Sequence, residues 1–294
     1  MASARKQTGI IGGIFKFLGV LLAVIAVMVV AVYCFLRFSL GIDIFDIKNK
    51  LDLLNQSVDE SKVITEVYDD EDAAQGFSIL FGTNSVYEND GNGYVFNKDE
   101  FIASNLALDI KLTDEQFASI VNIFLNNIYD GSDSSDYANY ISLKQVEFKN
   151  FNVNATKTSV DVKFVAKIDF EKVKNTMLKD ENGVVDFIAG LIPNNIYITS
   201  NFTIGVDSTN PTTYTVQSNS VILNQLSAQQ SKETLQLLSK IAGSGILPEN
   251  LNSTFATVLF GNNENKGFLD VLTGFSYFTF ESDGTNIYLS ITGE

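Results

Sequence analysis

Two periodicities, and one long stretch with neither, organise this chain. Phe17 to Leu36 (FLGVLLAVIAVMVVAVYCFL) is a run of 20 uncharged residues bracketed by Lys16 and Arg37. As a helix rising 1.5 Å per residue it would extend about 30 Å, the hydrocarbon thickness of a bilayer. A cleaved signal peptide has a shorter apolar stretch, about 7–15 residues, ending at small side chains. Here Tyr33, Cys34 and Phe35 crowd the end of the run. The pattern therefore predicts an uncleaved signal anchor: a cytoplasmic tail over 1–16, a transmembrane helix over 17–36 that contacts the lipid bilayer, and Cys34 inside it. Arg5, Lys6 and Lys16 on one side balance Arg37, Lys48 and Lys50 on the other. The acid-free tail beside a long domain predicts a plasma-membrane protein with its N-terminus inside and its C-terminal domain outside.

Beyond the span, Ile44, Ile47, Leu51, Leu54 and Val58 recur at alternating +3 and +4 spacing. This stripe predicts a juxtamembrane helix. It fits a helix packed on its own domain or a homodimer paired through 44–58. The acids Asp69 to Asp72 read as a solvated turn. They separate a juxtamembrane helix and linker (37–75) from an extracytoplasmic domain (76–294), and GFSILFGTNSVY after them reads as strand.

Helix-start chemistry follows. Asn97 with Glu100, and Thr113 with Gln116, have the spacing of capping boxes. Phe117, Ile120, Val121 and Phe124 give the second helix an apolar face. The clearest strand covers 160–170. Val160, Val162, Phe164, Ala166, Ile168 and Phe170 alternate with Asp161, Lys163, Val165, Lys167 and Asp169, so one face meets a core and the other meets water. Val146, Phe148, Phe151 and Val153 make a partner strand whose phase slips at Asn150, predicting a bulge. Further hairpins are predicted at 196–206 with 214–222 and at 275–280 with 287–291. Helices are predicted from Glu171, over 184–191, over 228–242 and from Pro248. Hairpins alternating with helices predict an α+β fold with a curved antiparallel sheet and packed helices.

Composition removes most catalytic chemistry. The chain has 294 residues, one Cys, no His and no Trp, with a net charge of −15. Without His there is no Ser-His-Asp triad and no imidazole metal site. All 35 acids lie after residue 37 against 16 bases, every one Lys, so that part carries −19. Such a surface opposes nucleic acid. The lone S-x-x-K is Ser3 to Lys6, in the tail.

Three weaker patterns remain in the sequence. Glu88, Asp90, Asn92, Gly93, Val95 and Asp99 resemble part of a calcium loop, but Glu stands first and the shorter Asp last; the favoured reading is a D-G-N-G hairpin turn. Asp130, Asp133 and Asp136 read as surface. Asn55, Asn154, Asn201 and Asn252 begin N-x-S/T tripeptides, read as chance in an Asn-rich chain. The 23 Phe fit a core, or a sheet wrapping an apolar groove for an acyl chain.

The plan of anchor, capped helix LTDEQFASIVN, strand VDVKFVAKIDF, segment LIPNNIYITSNFTI and late hairpin ESDGTNIYLSI resembles the YpmS-like family of bacterial single-pass membrane proteins. The likeness covers roughly 100–294 and implies an envelope protein with a lipid-handling sheet; it brings no catalytic residues. The resulting expectation is a non-enzymatic, membrane-anchored extracytoplasmic binding protein of the bacterial cell envelope, taking a lipid-like ligand or a protein partner. The alternatives are a carboxylate-based hydrolase of envelope polymers and a structural scaffold. No catalytic or metal residue and no cofactor is assigned, and the ligand-binding residues are left open.

Overall fold

The computed structural model describes residues 44–56, 58–65, 67–128, 141–154, 156–177, 193–207, 210–242, 247–262, 265, 267–273 and 278–292. The expected span 17–36, Ser3 to Lys6, Cys34, the helix 184–191 and Asp130, Asp133 and Asp136 lie outside them. Among the described residues no helix is long and apolar enough to cross a membrane.

In chain order the elements begin with α1 (Ile44–Leu54), α2 (Glu60–Val63), α3 (Asp70–Phe81), β1 (Tyr87–Asn89), β2 (Tyr94–Phe96), α4 (Lys98–Ala103), β3 (Asp109–Leu112) and α5 (Asp114–Ile128). They continue with β4 (Ile141–Val153), β5 (Lys157–Asp169), α6 (Phe170–Met177), β6 (Asn195–Asp207), β7 (Asn210–Leu223), α7 (Ala228–Ala242), α8 (Pro248–Phe260), α9 (Phe268–Thr273), β8 (Thr279–Ser282) and β9 (Ile287–Thr292). The class is α+β with antiparallel sheets. Strands β4-β5-β6-β7 form one meander, β3-β9-β8 a second sheet, and β1-β2 a separate hairpin.

The period-two reading of β5 holds. Val160, Val162, Phe164, Ala166 and Ile168 are buried on one face, opposite Ile204, Phe202, Ser200, Ile198 and Ile196 of β6. The slip at Asn150 is a bulge: pairing with β5 shifts between Lys149 and Asn152, and Asn150 takes φ +54°. Helices α5, α7 and α8 cover this inner face. Phe255 of α8 meets Phe164 at 4.6 Å, and Phe117 of α5 stacks on Phe260 at 5.9 Å. Phe278 lies 4.9 Å from Phe260, and Phe280 lies 5.3 Å from Phe148. Burying each such ring contributes about 1.5–3 kcal/mol. These rings fit the reading of the Phe residues as core.

The outer face of the sheet is not uniformly wet. The segment 58–65 lies across it as a strap. Val63, with partly buried Val58 and Ile64, packs on Val165 and Tyr197, which explains why Val165 is buried on the face expected to be polar. The strap is pinned at several points. Thr65 N–H donates to Gln145 Oε1 at 3.0 Å, Gln225 Nε2 donates to the Asp59 carbonyl at 2.8 Å, and Lys167 pairs with Glu60 at 3.2 Å. Upstream, Leu51 and Leu54 of the predicted stripe are buried in the chain's own main core. Leu51, Leu54, Val58, Val63 and Ile64 are thus packed on the domain.

Two local readings are corrected. Asp69 to Asp72 are a helix start, not a solvated turn. Asp69 Oδ1 accepts from Glu71 N–H at 2.9 Å and Asp72 N–H at 3.1 Å, while Asp72 Oδ2 accepts from Asp69 N–H at 3.0 Å. This is a capping box built from two aspartates, with the acids against the positive end of the helix. The segment after them is accordingly helix α3 and not strand. It runs through the expected 75/76 junction and buries Ala73, Phe77 and Leu80.

Candidate functional site

Helix α3 and the β1-β2 hairpin form the walls of an open cleft of about 590 Å³. The helix faces it with Glu71, Ala74, Gln75, Ser78 and Ile79. The hairpin supplies Tyr87, Glu88, Asn89 and Tyr94, and Asn84 and Gln116 complete the lining.

Each wall is fixed by local chemistry. The hairpin turns over Asp90 to Gly93, where Asp90 N–H donates to the Gly93 carbonyl at 3.0 Å. Asn89 Oδ1 accepts from Gly91 N–H, and Asp90 Oδ1 accepts from Asn92 N–H. Gly91 and Gly93 both have positive φ, which glycine adopts without strain. The helix is held against α5 by a close approach at Gly76. A Cβ there would lie 2.6 Å from Ile120 Cδ1 and 3.3 Å from Gln116 Cβ.

Tyr87 and Tyr94 form the aromatic part of the cleft. Their rings stack at 5.4 Å with planes 20° apart. Tyr87 is buried and packs on Phe77 at 5.8 Å. Its hydroxyl donates to Asp70 Oδ1 at 2.6 Å. Burial, with that carboxylate as acceptor, pushes the phenol above its ordinary range. Tyr87 is therefore a fixed neutral base plate, and Tyr94 is the half-exposed ring resting on it.

The polar lining is only partly used internally. Gln75 Nε2 reaches Glu71 Oε1 at 3.4 Å, Asn89 uses its Oδ1 in the turn, and Gln116 uses its Oε1 to cap Thr113 N–H at 3.1 Å. That leaves Gln75 Oε1, Asn89 Nδ2 and Gln116 Nε2 unpaired among the described residues. The side chains of Asn84 and Glu88 and the hydroxyl of Tyr94 are unpaired in the same sense. Among the described residues no Lys or Arg lines the cleft.

The residues singled out from the sequence distribute as follows. Asp90, Asn92 and Gly93 form the hairpin turn, Val95 lies on β2, and Asp99 sits in the first turn of α4. Glu88 alone of that set reaches the cleft. Among the described residues no group of three or more Asp, Glu, Cys or His is arranged to hold a metal ion. Of the N-x-S/T asparagines, Asn55 and Asn154 are exposed, Asn201 is partly buried, and Asn252 is wholly buried. The cleft residues Gln75, Asn84, Tyr87, Tyr94 and Gln116 were not singled out. Tyr87 and Tyr94 were findable: once D-G-N-G is a turn, Asn89 pairs with Tyr94 and Tyr87 with Phe96, placing both tyrosines on one hairpin face. The helical side was hidden by reading 76–87 as strand. No family model, no curated protein and no solved structure matches the chain.

Proposed function

We propose that the chain is a non-enzymatic, single-pass membrane protein of the bacterial cell envelope, whose extracytoplasmic domain binds its ligand or partner in the cleft between α3 and the β1-β2 hairpin. The observation that carries this reading is the combination of a rigid Tyr87-Tyr94 stack with unpaired amide and carboxylate groups around it. Pockets that bind present such convergent polar groups beside an aromatic surface. The uncharged run 17–36 supports the membrane anchor, and the plan-level resemblance to the YpmS-like family supports the envelope. With Phe rings filling the inner face of the sheet, a polar ligand suits the domain better than a lipid tail.

The hydrolase alternative would use Glu71 and Glu88, the two carboxylates of the cleft. A glycosidase needs one carboxyl raised by an apolar enclosure so that it donates a proton. Glu71 and Glu88 are both exposed, which favours binding over catalysis.

Topology is tested by cysteine labelling in a Cys34→Ser background, which removes the single natural thiol. A membrane-impermeant maleimide added to intact cells is expected to label Asp283→Cys and not Ser3→Cys. Labelling of neither Asp283→Cys nor any other surface cysteine of the domain would overturn the extracytoplasmic assignment.

A further inference from the structure

We infer that the cleft binds an uncharged carbohydrate, with a sugar ring lying on Tyr94 and its hydroxyls meeting the surrounding amides and carboxylates; this rests on the binding reading above. The donor and acceptor set selects the ligand class. Asn84 offers both a donor and an acceptor. Asn89 Nδ2 and Gln116 Nε2 are donors, and Gln75 Oε1 and Glu88 are acceptors.

An anionic ligand would face Glu71 and Glu88 with no cation among the described lining residues to compensate. An ammonium or guanidinium ligand only donates, so the amide NH2 groups of Asn84, Asn89 and Gln116 would have no acceptor to serve. In a cleft this open, pairing with an exposed carboxylate also adds little. A hydroxyl both donates and accepts, so a polyol satisfies every group in the set. The ring supplies the second requirement. A sugar has a face of C–H groups with its hydroxyls at the rim, and an aromatic face buries the first while leaving the second to side chains. Trp is absent from the chain, but Tyr94, fixed from beneath by Tyr87 and Asp70, provides a flat rigid platform at small entropic cost.

The test is saturation-transfer NMR on the full-length protein in nanodiscs, titrated with maltotriose, cellotriose, triacetylchitotriose and mannotriose, and separately with a trilysine peptide. At least one trisaccharide is expected to bind. Its affinity should fall about tenfold or more in Tyr94→Ala and in the double variant Asn84→Ala/Glu88→Ala. It should stay within about threefold in Tyr94→Phe, which keeps the ring. Asn84 and Glu88 lie at the cleft surface, so the double variant tests the site even if Tyr94→Ala disturbs the hairpin. Binding of trilysine alone, sensitive to Tyr94→Ala, would overturn the carbohydrate assignment and leave the binding cleft standing. Saccharide binding unaffected by all of these variants would place the sugar elsewhere and overturn the inference. No binding of either probe would overturn the carbohydrate inference.

Discussion

The Ser200 hydroxyl on β6 donates to Asn252 Oδ1 on α8, tying a helix to the sheet by a fully buried polar contact. Asn252 Nδ2 in turn meets the Asn201 carbonyl at 2.9 Å, Ser218 Oγ at 2.7 Å and the Ser220 carbonyl at 3.4 Å. It sits where β6-β7 pairing slips, with Asn201 opposite Ser220 and Phe202 opposite Ser218, so that Asn219 is the extra residue. One side chain satisfies the polar groups that the bulge leaves unpaired.

Asn252→Ala removes the partner of the buried Ser200 hydroxyl and of the partly buried polar groups of Asn201, Ser218 and Ser220. It is expected to cost about 2–4 kcal/mol, and Asn252→Asp, which removes the donors, should cost no less. Urea unfolding of the two variants beside the wild type measures both. A loss under 1 kcal/mol in Asn252→Ala would show that water replaces the amide.

Phe260 stands at the meeting point of three elements. It stacks on Phe117 and Phe278 and lies edge-on to Phe280 at 6.2 Å. Phe260→Ala is expected to cost about 3–5 kcal/mol. Ile102→Ala, at a position 60% exposed, should change stability by about 0.5 kcal/mol or less. Comparable denaturation midpoints for the two variants would contradict this account of the core.

The strap should loosen in acid. The Tyr197 hydroxyl donates to Glu60, and this bond, with Lys167 beside it, holds the Glu60 carboxyl below its ordinary value of 4.5. A depressed carboxyl contributes stability that is complete above the unfolded value and lost as pH falls through the folded one. The contribution is therefore full at pH 6 and is lost as pH falls below 4.5 through the lower folded-state value. Because Glu60 is largely exposed, its size is about 0.5–1 kcal/mol. Melting temperatures measured from pH 7 to 3 should fall less steeply in Glu60→Gln than in the wild type, and parallel curves would refute the linkage.

The packing of the cleft wall on α5 depends on the close approach at Gly76. In Gly76→Ala the Ile120 methyl is the nearest atom met and can rotate away, while the helix gains up to about 1 kcal/mol in intrinsic preference. The net change should be within about 1 kcal/mol. Gly76→Val has no such escape and should cost about 1–3 kcal/mol by overpacking. It should also weaken ligand binding in the cleft more than Gly76→Ala does, as titration of the two variants would show.

Helix α7 was readable to the residue over 228–242, and α8 from Pro248, because a preset first turn and a 3.6-residue apolar period are local signals. The Thr113-Gln116 capping box formed in both directions. In contrast, α3 was misread. FSIL after Gly76 has the β-rich look of a strand, and the box that starts the helix uses Asp69 and Asp72 in place of the usual hydroxyl and longer acid. Helix α9 and strand β3 were also missed; each is short, and β3 pairs with the distant β9.

From the sequence alone came the α+β class, the two long hairpins with the bulge at Asn150, the apolar face of α5 and the exclusion of His-based chemistry. Those follow from periodicity and residue type, which act over one or two turns of chain. Tertiary structure decided what the sheet's two faces touch. It filled the inner face with Phe rings and laid the strap 58–65 over Val165. Those arrangements join residues far apart in sequence, and their physical cause is complementary packing, which no local pattern encodes.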